Sequence, residues 1–101
     1  MDADGKELCS FTDAKNPYYL SIDSEGRVLI ADYYNSHIPL LNGKLELQRI
    51  LVDDKTSEVK LWHPERFSYN EVTSTLCVQH GSSEDTSSRD VISLFSVQLS
   101  D

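Results

Sequence analysis

Laid over itself with a shift of 47 residues, the later part of this chain reads as a copy of the earlier part. Pro17 falls on Pro64, and Leu20-Ser21-Ile22 falls on Phe67-Ser68-Tyr69. With one residue added in the next turn, Val28-Leu29-Ile30 matches Leu76-Cys77-Val78. After a longer loop, Ile38-Pro39-Leu40-Leu41 matches Ile92-Ser93-Leu94-Phe95. The N-terminus joins in: Asp4-Gly5-Lys6 with Leu8, Cys9 and Phe11 resembles Asn42-Gly43-Lys44 with Leu45, Leu47 and Ile50. A unit of this kind buries its apolar face by stacking on its neighbours, which narrows the choice to repeat architectures.

The unit is built of short strands. Leu20-Ser21-Ile22-Asp23 alternates, Ser24-Glu25-Gly26 is a turn, and Arg27-Val28-Leu29-Ile30-Ala31 is an apolar run that stops at Asp32. Polar residues 33–37 lead into Ile38-Pro39-Leu40-Leu41, and Asn42-Gly43 is a strong hairpin signal. Beyond it, Leu45, Leu47 and Leu51 alternate as in a strand, although Leu47, Ile50 and Leu51 also share a helical face. The preceding Asn-Gly favours the strand. Pro39 lacks an N–H, so it needs a bulge or an orientation away from a neighbouring strand. After the polar stretch 52–60, strands are expected at Phe67-Ser68-Tyr69, Leu76-Cys77-Val78 and 91–97, with a Ser-, Asp- and Glu-rich loop between the last two.

Four short strands in a repeat of roughly 40–50 residues are the pattern of a propeller blade. Residues 16–32, Asn16-Pro17 through Ala31-Asp32, resemble the core of an NHL repeat: Pro, a strand ending in Asp, x-x-Gly, then an apolar strand ending in Ala-Asp. Asn35-Ser36-His37-Ile38 stands where that family has Asn-x-Arg-Ile, so an Asp–Arg bridge to Asp32 does not carry over. The second repeat is degenerate, with His80 in the place of Asp32. The wording is most similar to the C-terminal NHL domains of tripartite-motif proteins. The resemblance implies an all-β fragment of a six-bladed propeller, about two four-stranded antiparallel blades. Residues 1–11 would be the last strand of a preceding blade, 16–52 a complete blade and 62–99 an incomplete one. Two blades leave edges and apolar faces unpaired, so either a fragment of a larger propeller or self-association through exposed blade edges is expected. Three copies together would supply the strands of a six-bladed ring.

Charge narrows the partners. Seventeen acidic against nine basic residues give a formal net charge of −8, with the basic residues scattered. Phosphate backbones and anionic lipid surfaces are bound through clustered Lys and Arg, so RNA and membranes are disfavoured. Cys9 and Cys77 lie in apolar-patterned segments, as small buried hydrophobes do, and two cysteines make no disulfide scaffold. There is no apolar leader or membrane-length apolar run, and a cytoplasmic chain is expected.

In the family, one propeller face carries the loops that bind protein partners or single-stranded RNA. The resemblance places Tyr33, Tyr34, Asn35, His37, Trp62 and His63 near that rim, with residues 80–89 close by. Aromatics mixed with hydrogen-bonding groups suit protein contacts, while Trp62 and one tyrosine could equally pack between blades. No catalytic residue, metal site or cofactor is expected. His37, His63 and His80 lack metal-ligand spacing to one another or to a cysteine, and His63 and His80 read as loop residues. No Gly-x-Ser-x-Gly elbow or phosphate-binding loop occurs. Asp23 and Asp32 read as turn-closing side chains that accept backbone N–H groups. The favoured function is a protein-interaction segment of a tripartite-motif-like protein whose ubiquitin-ligase chemistry would lie in a RING domain outside this chain. The alternatives are an RNA-binding segment and a remnant of a propeller lyase or lactonase.

Overall fold

The computed structural model describes residues 8–14, 16–55, 61–81 and 91–99. These residues form an all-β fold with no helix, arranged as two antiparallel meanders. The first sheet has four strands in sequence order: β1 (Pro17–Ile22), β2 (Val28–Asp32), β3 (His37–Leu41) and β4 (Leu47–Asp53). The second has three: β5 (Trp62–Asn70), β6 (Thr75–Gly81) and β7 (Val91–Ser96). Residues 47–53 are thus strand rather than helix. Neither sheet closes on itself. Residues 8–14 carry no strand, and the rest of the N-terminal strand expected over 1–11 lies outside the described residues, as does most of the loop after Gly81.

The two sheets share one pairing register. Leu20 faces Ile30, Ser21 faces Leu29 and Ile22 faces Val28; in the second sheet Phe67 faces Val78, Ser68 faces Cys77 and Tyr69 faces Leu76. One strand further on, Val28 faces Leu41 and Leu29 faces Leu40, as Leu76 faces Phe95 and Cys77 faces Leu94. Each of these pairs maps onto its counterpart through the sequence repeat. Side-chain period is two, so a slip of one residue would turn every apolar group to the other face. The repeated apolar pattern holds both sheets in the same register.

The turns repeat as well. The Asp23 carboxylate accepts the N–H groups of Glu25 and Arg27, at 3.0 and 2.8 Å. Asn42 Oδ1 accepts those of Lys44 and Glu46, at 2.9 and 3.0 Å. Asn70 Oδ1 takes those of Val72 and Thr73. Each turn ends on a left-handed residue: Gly26 (φ 81°), Leu45 (φ 61°) and Ser74 (φ 52°). In the Asn-Gly hairpin the left-handed position is therefore Leu45 and not Gly43. A turn followed by a left-handed residue gives a longer hairpin loop than the two-residue type that Asn-Gly favours by itself. Pro39 sits beside a bulge, where Ile38 pairs with Val52 but Pro39 with Ile50.

A single core lies between the sheets. Leu29, Ala31, Ile38, Leu40 and Val52 from the first meet Leu61, Phe67, Leu76, Val78, Val97 and Leu99 from the second region. β5 lies closest to the first sheet, against β1, β2 and β3. One expectation is corrected here: Cys9 is exposed and Cys77 half-buried, both as free thiols. Cys9 precedes β1 in irregular chain. Among the described residues no helix is long and apolar enough to cross a membrane.

Candidate interaction site

The site forms where the β2–β3 turn of the first sheet meets the start of β5. Asp32, at the end of β2, is its polar centre. Its side chain is 1% exposed and accepts Asn16 N–H at 3.3 Å, Asn35 Nδ2–H at 2.7 Å and His37 Nε2 at 3.0 Å. His37 thus bonds to Asp32 from the position at which this chain has no arginine to do so. The backbone closes the same turn, with Tyr33 N–H bonded to Asn16 O and Ser36 N–H to Tyr33 O. Ser36 is left-handed (φ 52°) and buried, and its hydroxyl accepts the N–H of His63 at 3.2 Å. This bond ties the first sheet to the second.

Three rings then stack in a column, with a fourth tilted against its end. Tyr18 lies on Tyr33 at 4.2 Å and 18°, Tyr33 on His63 at 4.2 Å and 21°, and His63 on Trp62 at 4.4 Å and 32°. Tyr34 stands edge-on to both Tyr33 and His63 and is 61% exposed. His63 is left-handed (φ 48°) and lies where the β5–β6 register breaks, between Trp62 and Arg66. A non-glycine residue in that region, followed by proline, is strained backbone. The stack and the Ser36 bond hold it there.

All six expected residues thus gather at one place. Tyr33, Tyr34, Trp62 and His63 share the ring cluster, and Asn35 and His37 share Asp32. Tyr18 and Ser36 were missed. The signal for Tyr18 was the hairpin itself: Pro17 pairs with Asp32, and Tyr18 and Tyr33 flank that pair. Ser36 carried no sequence signal, because its partner His63 is 27 residues away.

Two histidines read as loop residues are corrected. His63 belongs to β5, because strand pairing begins at Trp62 opposite Gly81. His80 belongs to β6 and is fully buried, its ring bonded to Gly81 O and, at 2.9 Å, to Ser93 Oγ. It shares the buried side of β6 with Leu76 and Val78, and β6 pairs with β7 from Thr75 to His80. Residues 82–89 of the expected rim lie outside the described residues.

At the far end of the sheets the turns meet instead. Ser24 Oγ donates to Glu71 Oε1 at 2.8 Å, and Arg27 pairs with Asp23 at 2.6 Å and Glu25 at 2.7 Å. Burial raises the Asp23 carboxyl, but the N–H and guanidinium of Arg27 and the N–H of Glu25 outweigh it, leaving the pKa below its ordinary 3.8. Among the described residues no three His, Cys, Asp or Glu side chains are grouped to hold a metal ion. Comparison with family models, with curated proteins and with solved structures found no match to this chain.

Proposed function

We propose that this chain is a segment of an NHL-type β-propeller that serves as a non-catalytic, protein-binding surface. Residues 16–52 would be one blade and 62–99 a degenerate second, in a cytoplasmic setting that suits two free thiols. The identical registers of the two sheets support this reading of the repeat. In a tripartite-motif-like parent, the chain would recruit the protein on which a RING domain elsewhere acts.

The observation that carries the binding role is Tyr34, a largely exposed aromatic standing on a rigid column of rings. A ring held by neighbours loses little entropy on binding, and such aromatics are the usual anchors of protein interfaces. The same column argues against RNA. Bases stack on free ring faces, and the faces of Tyr33 and His63 are already covered on both sides. The net charge of −8 opposes a phosphate backbone as well.

The test is selection of binding peptides from a displayed library against the folded chain, followed by NMR titration. Selected peptides should shift the amides of residues 33–37 and 62–63, and Tyr34→Ala should weaken them about tenfold or more, as loss of an anchor does. Shifts confined to other parts of the chain would sink the proposal. A single-stranded RNA oligomer that binds these residues with a steep salt dependence would favour the RNA reading instead.

A further inference from the structure

The repeat relates buried faces to exposed ones. Leu29, Ile38 and Leu40 are buried on the side of the first sheet that meets the second. Their counterparts through the repeat are Cys77, Ile92 and Leu94. These lie on the side of the second sheet turned away from the first, where Ile92 is 73% and Leu94 70% exposed. Cys77 and Ile92 also border a shallow apolar hollow with Ser68, Gln79 and Arg66, which reaches round the β5 edge to Phe67 and to Tyr19 of the first sheet.

The converse also holds. Phe67 is buried and Tyr69 half-buried on the side of the second sheet that meets the first. Their counterparts on β1 are Leu20 and Ile22, which are 57% and 64% exposed. The chain therefore contains one finished joint between repeats, and it exposes Ile92 and Leu94 on one outer face and Leu20 and Ile22 on the other, beside the buried Ile30 and Leu41. Alternation on β7 agrees, since Phe95 packs on the core while Ile92 and Leu94 point outward.

We propose that the chain associates head to tail with a second copy of itself, the Ile92–Leu94 face of one seating the Leu20–Ile22 face of the next. The association repeats the packing of the two sheets within the chain, with Leu20 and Ile22 playing toward the neighbour the part that Phe67 and Tyr69 play internally. It is a heterologous interface: each copy uses a different surface toward each neighbour. It uses sheet faces and not the ring column, so it stands or falls apart from the peptide-binding reading. Each copy carries a net charge of −8, so the association opposes a long-range repulsion that salt screens.

The test is light scattering of the purified chain over a wide concentration range, at low and high salt, with the exposed-face variants Ile22→Lys and Leu94→Lys. The wild type should gain mass with concentration, and more so at high salt. Each variant alone should keep its β circular dichroism and lose the association, while an equimolar mixture should form a 1:1 dimer and stop there. The mixture is decisive, because Ile22→Lys keeps the Ile92–Leu94 face and Leu94→Lys keeps the Leu20–Ile22 face. In a Cys9→Ser background, alkylation of Cys77 should slow as concentration rises. A β-rich wild type that stays monomeric throughout, variants that associate like the wild type, or a mixture that stays monomeric or grows past a dimer would each overturn the proposal.

Discussion

His63 stacks on Tyr33 with ring centroids 4.2 Å apart, although one residue is the second of β5 in the second sheet and the other follows β2 in the first. The same histidine donates its backbone N–H to Ser36. Two contacts from one strained residue make it the pin between the sheets. His63→Ala removes the stacked pair with Tyr33, worth about 0.5–1.5 kcal/mol, together with weaker tilted and edge-on pairs to Trp62 and Tyr34, and leaves the left-handed backbone strain unchanged. The expected cost is about 1–2 kcal/mol in urea unfolding. Trp62, the single tryptophan, should shift its emission to the red as it loses its cover.

Asp32 gathers the polar half of the site. Replacing it with alanine strands the donors of Asn16, Asn35 and His37 around a buried position, and should cost about 2–4 kcal/mol. His37→Gln keeps a donor near the carboxylate and should cost no more than about 1 kcal/mol. Equal losses for the two variants in urea titrations would mean that Asp32 is not the centre of the network.

The Asp23 turn makes stability depend on acid. Its folded pKa lies below the ordinary 3.8, so its contribution is fully present above that value and disappears as pH falls through the lower folded value. Wild type and Asp23→Ala should therefore differ most above about pH 4, by about 1–2 kcal/mol, and converge in stronger acid. Unfolding followed at a series of pH values checks the convergence. Parallel curves would contradict it.

The first turn and its counterpart in the second repeat share a left-handed position but fill it with different residues. Gly26 has open space around a would-be Cβ, so Gly26→Ala pays for backbone strain alone, about 1 kcal/mol. Ser74 holds the corresponding position with a side chain, and Ser74→Gly should stabilise the chain by about 0.5–1 kcal/mol. Thermal melts of the two variants should move in opposite directions.

The strands and their pairing were legible in the sequence because both are local in origin. Alternating Leu20-Ser21-Ile22, a turn headed by Asp23 and the run 27–31 leave one register that buries a single face, and the repeat states it twice. The six rim residues were legible as a group because residues 33–37 share one turn and residues 62–63 are adjacent. Other features depended on contacts between distant residues. Strand pairing from Trp62 onward took in His63, and the core between sheets buried His80 against Ser93. Local pattern determines which side chains share a face. Which face meets which, and which rings then stack, is decided only when two sheets far apart in sequence close over a common core, because apolar burial has no direction of its own.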